Sequence, residues 1–299
     1  MFAHFRYLSC LTLLAMAPGL SHAQTTLQVY EPFSYVAGAN LNGQNGGVGF
    51  NLGGASWVEN SLTAKVSASG LAFGQLATTG LGVRVNSEGF QAATRDMAIE
   101  PITNSNVFWL SFLIQRTANT STSSFISGEY AGITIGGDLN TGKRTFIGAG
   151  PTASAGTQFV AGQNGNSASD VYDTSGGAIP VATSSTNNVA LIVAKVNTLS
   201  GLVNVFVNPG TLGTGTGPST PSFSYTNGSF VNGKTLAIVY GGGADYSIDD
   251  LRIGQTFIDV TPVPEPATIV ALSAMTIGGM WIRKRKQQKA ANRQPILAV

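Results

Sequence analysis

Short runs of apolar and β-branched residues, separated by glycine, asparagine and threonine, recur along this chain and constrain its fold more than any other feature. The strongest run, residues 107–114, is apolar at nearly every position, which is typical of a central strand buried on both faces. No long amphipathic helix lies between the runs, so the pattern predicts an all-β fold, an antiparallel sandwich or jelly roll. The remaining runs occupy residues 27–30, 133–135, 144–147, 189–196, 202–207 and 236–240.

One hairpin is predicted from local sequence. Residues 197–201, Asn-Thr-Leu-Ser-Gly, separate two of the runs and are typical of a hairpin loop that contains glycine. In the second run Val203 and Val205 alternate with more polar positions, which predicts one more deeply buried face. Residues 210–221 are rich in glycine, threonine and proline and predict a long exposed loop.

The N-terminus has the three parts of a secretory signal peptide. Arg6 supplies a positive charge, residues 8–17 are apolar, and Ser21-His22-Ala23 forms a small-x-small cleavage site. Cleavage is therefore predicted between Ala23 and Gln24, which removes residues 1–23. An N-terminal anchor is the alternative, but about ten apolar residues are too few to span a ~30 Å hydrocarbon layer.

Removal of that peptide changes which chemistry the chain can perform. Both histidines, His4 and His22, and the single cysteine, Cys10, lie within it. The mature protein then has no imidazole and no thiol, which excludes Ser-His-Asp and Cys-His catalysis and zinc sites built from those ligands. With 38 glycines and only 10% charged residues, the remaining composition is typical of an exported β domain with many turns.

The C-terminus carries a second segment with three parts. The motif Val263, Pro264, Glu265, Pro266 precedes an apolar stretch at residues 267–282, which predicts one transmembrane helix. A basic cluster follows and places the C-terminal end in the cytoplasm by the positive-inside rule. The cluster consists of Arg283, Lys284, Arg285 and Lys286.

This tail resembles the PEP-CTERM sorting signal of Gram-negative bacteria that produce exopolysaccharide, in its motif, apolar segment and basic cluster. The resemblance covers residues 263–289 and leaves residues 290–299 as a cytoplasmic tail. It implies that an exosortase, a membrane protease, processes the protein at the inner membrane. A plain membrane anchor after a proline-rich linker is the alternative.

The body, residues 24–262, resembles PEP-CTERM proteins with a LamG-like, concanavalin-type jelly roll. The matching sequences are Tyr-Glu-Pro-Phe-Ser-Tyr at 30–35, the glycine-rich segment 41–50, the strand 109–113, Phe-Val-Asn-Pro at 206–209 and Asp-Asp-Leu-Arg-Ile-Gly at 249–254. The resemblance implies the sheet topology, and it raises the expectation of a calcium ion at a sheet rim.

Charge is distributed unevenly between the body and the tail. Residues 24–262 contain nine basic and thirteen acidic residues, so the body is net negative although the whole chain is +2. The excess positive charge lies in the tail. A nucleic-acid partner is not expected, because the body offers no basic surface to neutralise phosphates.

Oxygen-only calcium sites remain open, with Asp245, Asp249 and Asp250 as the main candidates. At each of them a solvated turn or a salt bridge is the alternative, for example between Asp249 and Arg252. Two further pairs offer oxygen ligands at short spacing: Asp138 with Asn140, and Asp170 with Asp173.

The chain could act on glycans in two ways, by hydrolysis or by binding. A hydrolase needs two carboxylates close together, and no strand carries them two residues apart on one face, although acids from distant strands could still meet. A binding site needs exposed aromatic rings, whereas Trp109 lies among apolar neighbours and is expected in the core. The candidates for such rings are Trp57, Tyr130, Tyr172, Tyr225 and Tyr246. For each of them packing in the core or in a turn is the expected arrangement, and sugar contact is the alternative.

The sequence thus predicts an exported, non-enzymatic protein, anchored in the inner membrane as a precursor and sorted by an exosortase to the cell surface or exopolysaccharide matrix. There it would act structurally or bind glycan weakly, with no cofactor beyond a candidate Ca²⁺. A secreted glycoside hydrolase, or another glycan-active enzyme of the concanavalin-like fold, is the alternative function. A permanently anchored surface protein is a third interpretation.

Overall fold

The computed structural model describes residues 27–50, 55–59, 61–87, 89–98, 106–117, 130–136, 144–151, 157–164, 179–180, 188–227 and 233–263. In these residues the chain forms β-strands, numbered here in chain order, and one short helix. Every strand pairing is antiparallel, and the strands form two sheets. The predicted all-β antiparallel sandwich is confirmed.

The first sheet, sheet A, has eight strands in the order β13-β12-β11-β6-β15-β4-β3, with β1 also paired to β15. Residues 244–248 of β15 pair with β4, and residues 251–254 pair with β1. The strands of sheet A are β1 (Leu27–Glu31), β3 (Lys65–Val66), β4 (Val83–Ser87), β6 (Val107–Arg116), β11 (Ala190–Asn197), β12 (Leu202–Val207), β13 (Phe223–Thr226) and β15 (Ala244–Gly254).

The second sheet, sheet B, has seven strands in the order β10-β9-β8-β7-β14-β5-β2. The chain crosses repeatedly between the sheets, so neighbours in sheet B such as β7 and β14 are far apart in sequence. Its strands are β2 (Val58–Glu59), β5 (Gln91–Asp96), β7 (Tyr130–Ile135), β8 (Arg144–Pro151), β9 (Thr157–Asn164), β10 (Ile179–Pro180) and β14 (Thr235–Gly241).

The main core lies between the two sheets, because alternate residues of each strand point inward. Phe108 and Phe112 from sheet A and Ile133 and Ile238 from sheet B are all fully buried there. Burying a side chain of this size contributes about 1.5–3 kcal/mol. The apolar runs of the sequence therefore supply the stability of the sandwich directly.

Strand β6 is central and buried on both faces, as its apolar run predicts. Phe108 and Leu110 face the core, whereas Trp109 and Leu113 belong to a second apolar cluster on the outer face of sheet A. Trp109 is buried in an apolar cluster, as expected, but this cluster is not the one between the sheets. The reason is that adjacent residues of a strand point to opposite faces.

The outer face of sheet A is covered by loops and by the helix α1 (Phe257–Val260). Asp259 fixes the start of this helix, since its Oδ2 accepts a hydrogen bond of 2.8 Å from the Thr256 N–H. Phe257 and Val260 then pack onto the sheet, together with Leu76 from the loop between β3 and β4. This second apolar cluster is the foundation of the site described below.

The predicted hairpin between β11 and β12 is confirmed. Asn197 Oδ1 accepts hydrogen bonds of 3.1 Å from the N–H groups of Leu199 and Ser200. Gly201 has φ +66°, and a Cβ there would lie 1.8 Å from the carbonyl oxygen of Asn227, so only glycine fits.

None of the helices in the described residues is both long and apolar enough to cross a membrane. The predicted signal peptide, residues 1–23, and the predicted transmembrane stretch, residues 267–282, lie outside the described residues.

Candidate functional site

A cleft of about 470 Å³ opens on the outer face of sheet A, and we call it the sheet A cleft. Strands β6, β11 and β12 form its floor, while the loop after β12 and the start of α1 form its walls. Its volume lies within the ~300–1,000 Å³ typical of small-ligand sites. The cleft is lined by Trp109, Lys195, Asn204, Phe206, residues 215–219 and residues 255–257.

Strand register places three different side chains in one row across the floor. Lys195 of β11 lies directly opposite Trp109 of β6 on one side and Asn204 of β12 on the other. Opposite residues of paired strands have Cβ atoms about 4.5–5.5 Å apart, so an indole, an ammonium and an amide adjoin one another. Ser224 extends the row, and its hydroxyl donates a 2.7 Å hydrogen bond to Asn204 Oδ1.

Aromatic rings form the apolar part of the floor. The Trp109 ring stacks on Phe206 with centroids 5.8 Å apart and meets Phe257 edge-on at 5.3 Å. The Lys195 ammonium lies 5.5 Å from the Trp109 centroid, within cation–π range. Trp109 is only 8% exposed, so little of its ring is accessible from the cleft.

The loop after β12 forms the wall closest to this ring. A Cβ at Gly217 would lie 2.4 Å from Trp109 Cη2, whereas a Cβ at Gly215 would meet nothing within 4 Å. Residues 210–221 were predicted to be an exposed loop, and this is only partly right, because Gly217 and Pro218 are half-buried. Close packing of glycine against the indole holds the wall in place.

The polar groups of the cleft suit hydrogen bonding to a hydroxyl-rich ligand. Asn204 and Gln255 present amides, Thr216 and Ser219 present hydroxyls, and Lys195 presents an ammonium. The described lining residues include no Asp and no Glu. The cleft can therefore donate and accept hydrogen bonds beside an aromatic side chain, but its described lining holds no pair of carboxylates for acid–base chemistry.

Two of the candidate calcium ligands pair with arginine side chains instead. Asp250 and Arg252 form a bidentate pair with both N···O distances at 3.0 Å. Asp245 receives two hydrogen bonds from Arg84, at 2.8 and 2.5 Å, and another from the Thr117 hydroxyl. Asp245 and Asp250 therefore form salt bridges, which is the alternative to a calcium site at these positions.

Asp249, the third candidate, accepts hydrogen bonds from the backbone N–H groups of Leu71 (2.7 Å) and Asp250 (2.6 Å). Burial raises the pKa of Asp249 to about 7, and these two hydrogen bonds oppose the rise. The predicted salt bridge between Asp249 and Arg252 was wrong, since Arg252 pairs with Asp250. A bulge in β15 separates Asp249 from Arg252, and Asp250 has φ +52° there, which redirects the side chains.

These carboxylates do not fit a calcium site as they stand, because a cation would compete with arginine and N–H donors. In the part of the chain that the structure describes, no three His, Cys, Asp or Glu side chains group as metal ligands. The calcium prediction gains no support here and stays a prediction. The candidate pairs Asp138 with Asn140 and Asp170 with Asp173 lie outside the described residues.

A buried ion pair that the sequence reasoning missed connects the two sheets. Glu31 at the end of β1 is fully buried, and its Oε2 lies 2.7 Å from Arg95 Nη1 on β5. Tyr35 and Trp57 donate to the same oxygen at 2.8 and 3.1 Å. Burial and the neighbouring Glu31 raise the pKa of Tyr35. The Arg95 guanidinium also lies 3.7 Å from the Phe50 ring centroid.

A second buried carboxylate, Glu59 of β2, organises the turn that follows it. Its Oε1 accepts hydrogen bonds from the N–H groups of Thr63 (2.8 Å) and Ala64 (2.9 Å), and from the Tyr240 hydroxyl. Burial, and then the hydrogen bond to Glu59, raise the pKa of Tyr240. Neither acid lines the sheet A cleft, and both act in stability.

Four of these aromatic candidates are buried, so the expected core packing is confirmed for them and sugar contact gains no support. Trp57 packs against Phe33 and Phe50, and Tyr246 and Tyr225 lie in the core between the sheets. Tyr130 belongs to an apolar cluster of sheet B. Tyr172 lies outside the described residues.

Of the sorting motif, only Val263 is described. Its side chain lies against Gly213 of the loop after β12, and the preceding Pro262 accepts a 2.9 Å hydrogen bond from the Ala77 N–H. The cleavage site at Ala23 and Gln24, the rest of the motif (Pro264, Glu265, Pro266) and the basic cluster (Arg283, Lys284, Arg285, Lys286) lie outside the described residues.

No family model and no curated protein matches the chain. Among solved structures, it is similar to the T. cruzi calreticulin globular domain, with TM-score 0.42 and 12% identity, covering 89% of this chain and 99% of that one. The carbohydrate recognition domain of Emp47p has TM-score 0.39, 10% identity and coverages of 60% and 86%. Alginate lyase Aly36B has TM-score 0.35, 11% identity and coverages of 63% and 88%. Since these TM-scores are all below 0.5, the sandwich fold rests on the two sheets of the chain itself.

Proposed function

We propose that this chain is an exported, non-enzymatic protein of the cell surface or exopolysaccharide matrix, and that its sandwich binds polysaccharide weakly in the sheet A cleft. The observation that carries the proposal is the row of Trp109, Lys195 and Asn204 across the floor of an open cleft. A sugar ring presents hydroxyls around an apolar body. In this row the indole can contact the apolar part, while the ammonium and the amide can form hydrogen bonds with the hydroxyls.

Weak binding follows from how the cleft is built. Trp109 offers little accessible ring surface, because Phe206, Phe257 and Gly217 pack around the indole. The contact area per sugar is therefore small, and affinity for a long polymer would come from many low-affinity contacts.

A non-enzymatic role is supported by the lining of the cleft. Glycoside hydrolysis requires two carboxyl groups about 5–5.5 Å or 6.5–9.5 Å apart around the scissile bond. The described lining residues supply neither member of such a pair. We therefore propose binding without turnover.

The localisation part of the proposal is supported by the two termini of the sequence. The signal peptide would direct export, and the PEP-CTERM-like tail would hold the precursor in the inner membrane until an exosortase processes it. The body has a LamG-like jelly roll in this proposal. Pro262 and Val263, the first residue of the motif, are packed on the sandwich. The rest of the motif would therefore follow the folded body directly.

The test is a binding and turnover assay on the purified full chain with dextran and polygalacturonate. The cleft variant is Asn204→Ala, and Asn86→Ala, an exposed amide on β4 of the same sheet, is the matched control. We expect polysaccharide binding by the wild type, about tenfold weaker binding by Asn204→Ala, and no effect of Asn86→Ala.

Two results would contradict the proposal. Equal binding by Asn204→Ala and the wild type would remove the sheet A cleft as the site. Release of reducing ends, abolished by substitution of a single Asp or Glu, would replace binding with hydrolysis as the function.

A further inference from the structure

We infer that the sheet A cleft selects acidic polysaccharides, and that the Lys195 ammonium pairs with an anionic group of the bound sugar, a carboxylate or a sulfate. This inference rests on the proposed function, because it assigns the ligand class of the same cleft. Lys195 is then the residue that determines specificity.

The position of Lys195 supports this role. It is half-buried on the outer face of β11, in the middle of the row formed with Trp109 and Asn204. Its ammonium lies 5.5 Å from the Trp109 centroid, so the charge is held above the ring at the floor of the cleft. An anion entering the cleft would meet this charge beside the amide of Asn204.

The charge of Lys195 is not compensated within the described residues, in contrast to the arginines of the sandwich. Arg84, Arg95 and Arg252 each form a salt bridge with an Asp or Glu. Lys195 has no ion pair among the described residues, and its cleft has no carboxylate in its described lining. Unpaired positive charge in a partly desolvated cleft favours an anionic ligand.

The acid nearest to the lining in sequence does not change this conclusion. Asp259 follows Thr256 and Phe257, but it is buried, and its Oδ2 accepts a hydrogen bond from the Thr256 N–H. It is part of the helix cap rather than of the cleft surface.

The overall charge of the body makes the inference specific to the cleft. Residues 24–262 carry more acidic than basic residues, so the sandwich as a whole repels a polyanion. Charges beyond about 8 Å are largely screened at physiological ionic strength, so binding of an acidic polymer must come from local contacts. A local cation in a binding cleft therefore predicts selectivity for acidic over neutral polymers.

The experiment compares the affinities of the purified full chain for polygalacturonate, dextran sulfate and dextran. Lys195→Gln removes the charge, and Lys195→Arg retains it. Lys234→Gln is the matched control, because Lys234 is an exposed lysine directly before β14 of sheet B. Near-ultraviolet circular dichroism and the melting temperature establish that each variant is folded.

We expect tighter binding to at least one acidic polymer than to dextran, and the tighter of the two identifies a carboxylate or a sulfate ligand. Lys195→Gln should weaken acidic binding about tenfold and leave dextran binding unchanged, while Lys195→Arg and Lys234→Gln keep wild-type affinity. Added NaCl should weaken acidic binding more in the wild type than in Lys195→Gln.

The inference is overturned if dextran binds as tightly as both acidic polymers, or if Lys195→Gln and Lys234→Gln lose the same affinity. Should Lys195→Gln fail to fold, the wild type still tests the inference, through its preference for an acidic polymer over dextran and the loss of that preference in added NaCl. Failure of the proposed function is distinguishable, because then no polysaccharide binds or Asn204→Ala leaves all binding unchanged.

Discussion

Replacing Arg95 by methionine tests whether the buried ion pair with Glu31 holds the two sheets together. The substitution keeps an apolar side chain of similar length over Phe50 but leaves the Glu31 carboxylate fully buried without its cation. It also removes a 2.7 Å hydrogen bond from Arg95 Nε to the carbonyl oxygen of Ala55.

The magnitude follows from what remains around the carboxylate. Removing one partner of a buried pair destabilises a protein by about 3–5 kcal/mol. Three neutral donors still reach Glu31, namely the Phe33 N–H at 2.9 Å, the Tyr35 hydroxyl and the Trp57 indole. We therefore expect Arg95→Met to lower the free energy of unfolding by about 3 kcal/mol, the lower end of that range.

The assay is urea unfolding of the purified full chain, followed by tryptophan fluorescence, with Arg84→Met as the matched control. Arg84 also pairs with a buried carboxylate, that of Asp245, but its own side chain is 51% exposed. Water can replace it, so we expect a loss of about 1 kcal/mol. In the double variant Glu31→Gln/Arg95→Met, at least half of the stability lost in Arg95→Met should return, because no buried charge is left unpaired.

A buried pair that holds the sheets together is contradicted if Arg95→Met destabilises the chain no more than Arg84→Met. It is also refuted if Glu31→Gln gives no recovery in the Arg95→Met background. Either result would mean that the pair is not the contact between the sheets that the geometry indicates.

Three further predictions concern the cleft wall, pH and sorting. Gly217→Ala should shift tryptophan emission and weaken polysaccharide binding, since its Cβ would collide with the cleft indole, whereas Gly215→Ala has open space and should change neither. The folded-state pKa of Asp249 is raised, so the stabilising contribution of Asp249 is complete below pH ~4 and is lost as pH rises through about 7. In urea titrations at each pH, the stability advantage of the wild type over Asp249→Asn should therefore shrink over that window by up to about 4 kcal/mol. A difference that stays constant with pH would contradict the burial of this acid. Fractionated cells should contain a shorter, tail-free species with the natural motif and only the longer precursor with Pro264→Ala/Pro266→Ala, and identical products would remove motif-dependent processing.

Local sequence patterns predicted strands whose apolar runs are continuous, such as β6 and β11, because this information is short-range. They did not predict β15, the longest of the described strands, whose apolar positions are interrupted by aspartates. The apolar run in β6 and the Asn-to-Gly loop after β11 follow from strand periodicity and turn chemistry within a few residues. Both are present in the structure. The second apolar cluster was missed, because periodicity shows that Trp109 faces away from Phe108 but not that loops cover that face.

The candidate site could not be assembled from the sequence, because it depends on pairings between distant segments. Trp109 and Lys195 become neighbours only through the β6–β11 register. Gly217 forms part of the cleft wall, although the composition of its loop predicts exposure. The same limit applies to Glu31 and Arg95, which are 64 residues apart and on different sheets. The contacts that bury Trp57 could not be predicted either, since its indole N–H donates to Glu31 of that ion pair.

The most direct test of the central claim is a heteronuclear NMR titration of the ¹⁵N-labelled chain with oligogalacturonate. We expect chemical-shift changes to concentrate on the Trp109 indole N–H, the amide of Asn204, the backbone at Lys195 and residues 215–219. Strong shifts confined to sheet B, or no shifts at millimolar ligand, would contradict binding in the sheet A cleft.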